Sequence, residues 1–208
     1  MKPLFQYEFV NQPFNDPGLY IRLNDEPHAL LFDAGEISHF PARKLLKISH
    51  VFVTHTHIDH FIGFDHLLRL MLARNKNLSI FGPRGIISHV AGKVKGYTWD
   101  LVNSYPFSIY VTEMGVRTCR TARFVCRERF RQEPVGSERL AAVIDEQPHY
   151  CVSAVRLDHR IPSIAYGLQE RFHININKDR LTAMGLPAGK WLRQFKDALW
   201  AGQPDDAS

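Results

Sequence analysis

From Thr54 to His60 the chain reads Thr-His-Thr-His-Ile-Asp-His, three imidazoles and a carboxylate within six residues, with apolar sequence on both sides. Val51–Val53, just before it, has the composition of a buried strand. After it, Phe61, Ile62, Phe64, Leu67, Leu68, Leu70, Met71 and Leu72 recur at helical spacing, which predicts an amphipathic helix over Phe61–Ala73. A fold that accepts this segment must end a core strand at the histidines and leave along a helix. Alternate residues of an extended segment project to one side, so His55 and His57 can grip one metal ion. Asp59 and His60 fall where the chain turns into the helix and can point at a second ion beside the first. Two adjacent ions hold a bridging hydroxide at neutral pH and offset the charge that develops on a phosphoryl or acyl centre. A surface loop that merely faces water has no need of imidazoles at this density.

The remaining chain supplies the frame. Strands are expected at Phe5–Val10, Leu19–Leu23 and Ala29–Phe32, separated by Asn, Pro, Asp and Gly turns, then a short helix around Ala42–Lys47. Leu78–Phe81 is a further strand, and Gly82-Pro83 leads into a helix over Arg84–Val94. From Phe107 to Leu157 the pattern alternates in a β manner, with turns expected near Gly115 and Gly136. Tyr150–Leu157 is a strand ending in Asp158-His159, Ser163–Leu168 is another, and Lys178–Met184 and Lys190–Trp200 read as helices. Long stretches without a crossover helix predict an α/β layered sandwich with mixed sheets, not a doubly wound parallel sheet.

Composition narrows the class. The 208 residues suit a single domain with a real core, and 45% hydrophobic with 23% charged residues excludes a disordered or fibrous chain. Runs such as Ala29–Phe32 are too short to span a bilayer, so no membrane association is expected. Met1–Phe5 lacks the apolar stretch of a signal peptide, and Cys119, Cys126 and Cys151 are scattered, as buried thiols in a reducing cytoplasm would be. The net charge of +5 fits a polyanionic partner.

Thr54–His60 resembles the histidine motif of the metallo-β-lactamase superfamily. "LFDAGE" at Leu31–Glu36, "VFVTHTHIDHFIGFDHLLR" at Val51–Arg69, "LSIFGPRGI" at Leu78–Ile86 and "LDHRIPSIAYGLQE" at Leu157–Glu170 are similar to its ribonuclease Z branch. "INKDRLTAMGLPAGKWLRQFK" at Ile176–Lys196 resembles the arm with which that family grips transfer RNA. The resemblance implies a metallo-β-lactamase αββα sandwich, α/β (α+β layered), over residues 1–208 with an arm-like insertion at about 171–200. It implies that His55, His57 and His159 hold a first Zn2+ and Asp59 and His60 a second, manganese being the alternative ion. Asp59 would take the proton from the attacking water, and Asp33 would orient the histidine loop from outside the ligand set. A turn or capping aspartate is the other reading of Asp33. The implied reaction is phosphodiester cleavage by a zinc-bound hydroxide, on the 3′ side of a transfer RNA precursor. Lys190, Arg193 and Lys196 would contact RNA phosphates, and a homodimer is compatible with this picture.

The chain also departs from that family. Its Gly-rich first turn is replaced by "EFVNQPFNDPGLYIRL" at Glu8–Leu23, and a bridging aspartate and a further histidine, which the family places after the arm, have no counterpart in Gly202–Ser208. The expectation is therefore a sandwich incomplete on its C-terminal side, with one ion held well and a second poorly. Such a chain would be a weak hydrolase, a fragment, or one completed by another chain. A small-molecule phosphodiesterase or sulfatase and a non-catalytic metal- or RNA-binding remnant are the alternatives.

Three smaller expectations follow from pattern. The arm helix reads equally as packing Trp191, Leu192, Phe195 and Leu199 inward with its lysines outward. Arg123, Arg127, Arg129 and Arg131 share one parity, so an extended strand would place them on one face, as a phosphate stripe or a solvated surface. His66 lies off the metal-facing end of its helix, while His28, His39, His50, His89, His149 and His173 show no ligand spacing.

Overall fold

Ala29–Leu31 and Val51–Val53 are buried at every position, so both faces of these strands are covered. The computed structural model describes residues 4–24, 26–171, 176–200 and 202. Its larger sheet has eight strands in chain order: β1 (Phe5–Phe9), β2 (Leu19–Leu23), β3 (Ala29–Phe32), β4 (Ile48–Phe52), β5 (Asn77–Pro83), β6 (Ser108–Met114), β7 (Thr118–Val125) and β8 (Gln132–Arg139). β3 to β6 run parallel, and antiparallel pairs flank them on both sides. The parallel connections carry α1 (Ala42–Leu45), α2 (Ile58–Phe61) with α3 (Phe64–Met71), and α4 (Ile86–Lys95). Leu45, Phe64, Leu67, Met71, Ile86 and Val90 from these helices join Leu31, Val51, Ile80 and Ile109 in the main core.

The opposite face of the sheet receives a second sheet in the order β11 (Ile161–Glu170), β10 (Tyr150–His159), β9 (Val143–Glu146). Leu23, Leu30 and Phe52 meet Tyr150 and Val152 there, and Phe52 stacks on Phe81 at 5.1 Å with Tyr166 tilted across it at 5.4 Å. Helices, sheet and sheet are thus three successive layers of the expected sandwich. Among the described residues no helix packs broadly over the outer side of the second sheet, where Val155 and Leu157 are exposed. The chain closes with α5 (Lys178–Ala183) and α6 (Trp191–Trp200); part of the expected arm, residues 172–175, and His173 with it, lies outside the described residues.

Four expectations are corrected. The single helix over Phe61–Ala73 is two, α2 and α3, because the Gly63 N–H turns aside to donate to Ala34 O at 2.8 Å. Gly136 is not in a turn; it sits within β8 opposite Thr121, beside a register shift. The arginine stripe does not form, because β7 gives way to a 3₁₀ turn at Cys126–Glu128, and Arg129 and Phe130 take left-handed φ of 56° and 54°. Arg123 and Arg131 are instead both paired with Glu133. The apolar side of α6 is not packed inward: Trp191, Phe195 and Leu199 remain 36–49% exposed.

Lys76, at the start of β5's approach, donates its ammonium to Leu46 O at 2.7 Å, and burial lowers its pKa to about 8. Between pH 8 and 10.5 the folded chain therefore binds fewer protons here than the unfolded one, and stability rises with pH across that window. Urea melts of wild type and Lys76→Met at pH 8 and pH 10 check this: the wild type should gain on the variant at the higher pH.

Candidate metal centre

The histidine loop is held at both ends by one side chain. Asp33 follows β3 with φ 55°, a left-handed conformation that Asp tolerates better than most residues, and its N–H donates to Phe52 O at 2.9 Å. Its buried carboxylate accepts from Thr54 N at 2.7 Å, from Thr54 Oγ1 at 2.8 and 3.0 Å, and from His60 Nδ1 at 2.9 Å. Thr54 opens the loop and His60 closes it, so Asp33 fixes its span. The turn after Asp33 lies directly against α2: Ala34 N donates to His60 O at 2.9 Å. Two glycines permit that approach. A Cβ on Gly35 would stand 2.5 Å from Asp59 O, and one on Gly63 would stand 2.2 Å from Gly35 O.

Four imidazoles gather on this frame. The ring of His55 lies 3.8 Å from that of His60, 4.7 Å from that of His57 and 5.6 Å from that of His159. His159 ends β10 and comes from the opposite sheet, over the hairpin turn at Arg160, whose φ is 59°. Burial, aided by the neighbouring His60, lowers the pKa of His55 and keeps it neutral, the form that ligates metals. The hydrogen bond to Asp33 raises the pKa of His60 and occupies its Nδ1, so Nε2 is left to face Asp59 Oδ2 at 3.5 Å.

That pair fits a metal. Two ligands of one tetrahedral zinc with bonds near 2.1 Å stand about 3.4 Å apart, and imidazole with carboxylate is an ordinary zinc donor set. Among the described residues no three His, Cys, Asp or Glu side chains are yet arranged to hold one ion together. His57 and His159 are exposed, so their rings have room to rotate about χ1 and χ2.

None of His55, His57, His60 and His159 lines the groove that holds two of the expected RNA contacts. Arg193 and Lys196 of α6 line a groove of about 900 Å³ with Leu4, His149 and Arg171, while Lys190 is exposed just before the helix. Sequence reasoning assigns no role of their own to Thr54, Gly35, Gly63 or Tyr166, though each lies in a segment that carries the resemblance. Gly63, a glycine inside a helical pattern, was the one with a readable sign of close backbone approach.

The family model for a beta-lactamase superfamily domain matches residues 28–109, which include the loop and its Asp33 frame. Ribonuclease Z of Deinococcus radiodurans is 28% identical over 193 residues, covering 90% of this chain and 58% of that protein. This chain resembles the ribonuclease Z-like branch of the metallo-β-lactamase superfamily. Another relative, mouse zinc phosphodiesterase ELAC protein 1, is 25% identical over 199 residues, covering 85% of this chain and 54% of that protein. The crystal structure of the short form of human tRNase Z (ELAC1) shares the metallo-β-lactamase fold, with a TM-score of 0.50 at 18% identity over 80% of this chain and 64% of that one. The chain spans 51–60% of the length of three ribonuclease Z relatives it matches.

Proposed function

We propose that this chain is a metal-dependent phosphodiesterase of the ribonuclease Z type, acting on the 3′ side of transfer RNA precursors. The observation that carries the reading is the gathering of His55, His57, His60 and His159 beside Asp59, on a loop clamped by Asp33. His55, His57 and His159 would hold a first ion, and Asp59 and His60 a second. Bound there, zinc or manganese would acidify a water and offset charge on the phosphate. The chain's own part is to keep His55 neutral, aim His60 Nε2 through Asp33, and receive a proton on the half-exposed Asp59 carboxylate. Lys190, Arg193 and Lys196 would take RNA phosphates on α6. Free thiols at Cys119, Cys126 and Cys151 suit a cytoplasmic setting, no described helix is long and apolar enough to cross a membrane, and a second copy is the partner to look for in solution.

A non-catalytic metal- or RNA-binding remnant is the second reading, favoured by the absence of a ready three-ligand group among the described residues. Titrating the purified chain with zinc and manganese, while following a labelled transfer RNA precursor and a small aryl phosphodiester, separates the readings. The expected result is metal-dependent RNA cleavage that a chelator abolishes and Asp59→Ala lowers at least about 100-fold. Metal binding without turnover supports the remnant, and turnover of the aryl ester alone points to a small-molecule phosphodiesterase.

A further inference from the structure

Tyr166 lies on the inner side of β11, and its hydroxyl reaches two strand ends of the larger sheet: Val53 O at 2.9 Å and Phe81 O at 3.2 Å. Val53 immediately precedes Thr54, the first residue of the histidine loop. Two residues before Tyr166, the N–H of Ile164 donates to Thr54 O at 2.9 Å. β11 is therefore fastened to the root of the loop at two adjacent points, one through a side chain and one through the backbone.

From Ile164 the strand runs back to Ile161, which pairs with His159 across the hairpin. Ser163 and Ile164 are buried beneath the hairpin, while Val155 and Leu157 on its outer face are 61% and 50% exposed. Among the described residues, these two ties are the hydrogen bonds that join the hairpin to the larger sheet near the histidines. Burial holds the phenol of Tyr166 protonated, so it remains a donor. Phe32 and Phe52 surround its ring, which keeps the hydroxyl pointed at the strand ends.

We propose that Tyr166 is a positioning residue for the metal centre: its hydroxyl sets how closely the β10–β11 hairpin brings His159 to His55. This rests on the metal reading of the site given above. A phenylalanine at 166 would keep the packing but release the anchor nearest the loop, and the hairpin would carry His159 with more freedom.

The test is a double-mutant cycle on cobalt(II) binding, read by visible absorption, with wild type, Tyr166→Phe, His159→Ala and the double variant. Tyr166→Phe should keep the near-UV circular dichroism of the fold, weaken cobalt affinity about tenfold or more, and lower the intense absorption of the tetrahedral ion. In the His159→Ala background the same change should alter affinity less than about twofold, since the ligand it positions is gone. Equal losses in both backgrounds, or no loss in either, overturn the proposal. If Tyr166→Phe melts too early, all four proteins are measured in sucrose, which favours the compact state. A wild type that gives no cobalt spectrum refutes the metal reading and this inference with it; a wild type that binds while Tyr166→Phe binds equally refutes only the inference.

Discussion

Asp33→Ala should strip the chain of tight metal binding and destabilise it by about 3–5 kcal/mol. The carboxylate accepts from Thr54 N, Thr54 Oγ1 and His60 Nδ1, and the first and last of these are the two ends of the histidine loop. Truncation leaves those donors part-buried without their acceptor, at about 1–3 kcal/mol for each such group. It also places alanine at φ 55°, where a Cβ without a local hydrogen bond adds about 1 kcal/mol. Asp33→Asn separates the two effects. It tolerates the left-handed backbone and still offers one acceptor, so most of the stability should return. Metal affinity should stay about 10–100-fold down, because His60 loses the charged partner that aims its ring. Urea melts paired with zinc or cobalt titration decide; an alanine variant within about 1 kcal/mol of wild type, with unchanged affinity, would remove Asp33 from the centre.

Gly63→Ala, a change of one methyl group, should lower the melting temperature by about 6–12 °C and disable the site. The added Cβ would meet Gly35 O at 2.2 Å, Ile37 Cγ1 at 2.8 Å and Ala34 O at 3.0 Å. Two of the three are backbone atoms, so rotating a side chain does not relieve the clash. The α2–α3 corner and the turn after Asp33 must separate, which breaks the Gly63 N to Ala34 O bond and strains that from Ala34 N to His60 O. Overpacking of this kind costs about 3 kcal/mol, and each kcal/mol shifts the midpoint of a domain this size by about 2–4 °C. Gly92→Ala on α4, where a Cβ meets nothing within 4 Å, is the control and should melt like wild type or slightly higher. A Gly63→Ala protein that melts with the control would show that the turn can yield.

What could be read from the chain was what local pattern determines. β3, β4, the histidine loop and the β10–β11 hairpin follow from short apolar runs and alternation, and they lie within a few residues of where the pattern put them. The helix break at Gly63 was hidden because its cause is Ala34 O, distant in sequence. The arginine parity failed because left-handed residues at Arg129 and Phe130 reset the alternation, and no glycine marks the spot. Tyr166 looked like any strand tyrosine, since its partners are carbonyl groups on two other strands. At the far end of β4, His28, His50 and His149 gather with Glu26, Asp145 and Tyr150, again through contacts that no spacing along the chain encodes.

His55, His57 and His60 become neighbours as soon as β4 and α2 form, whereas His159 comes from a hairpin about a hundred residues further along the chain. Contacts that close such long loops form late in folding, because the entropy of closure must be overcome before they contribute. The hairpin docks through bonds to Val53, Phe81 and Thr54, which exist only once β4 and β5 are paired. A nascent or half-folded chain therefore presents three histidines and lacks the fourth. The fold thereby acts as its own safety catch: the full set of four histidines belongs only to a molecule whose two sheets are docked, and is lost when they separate.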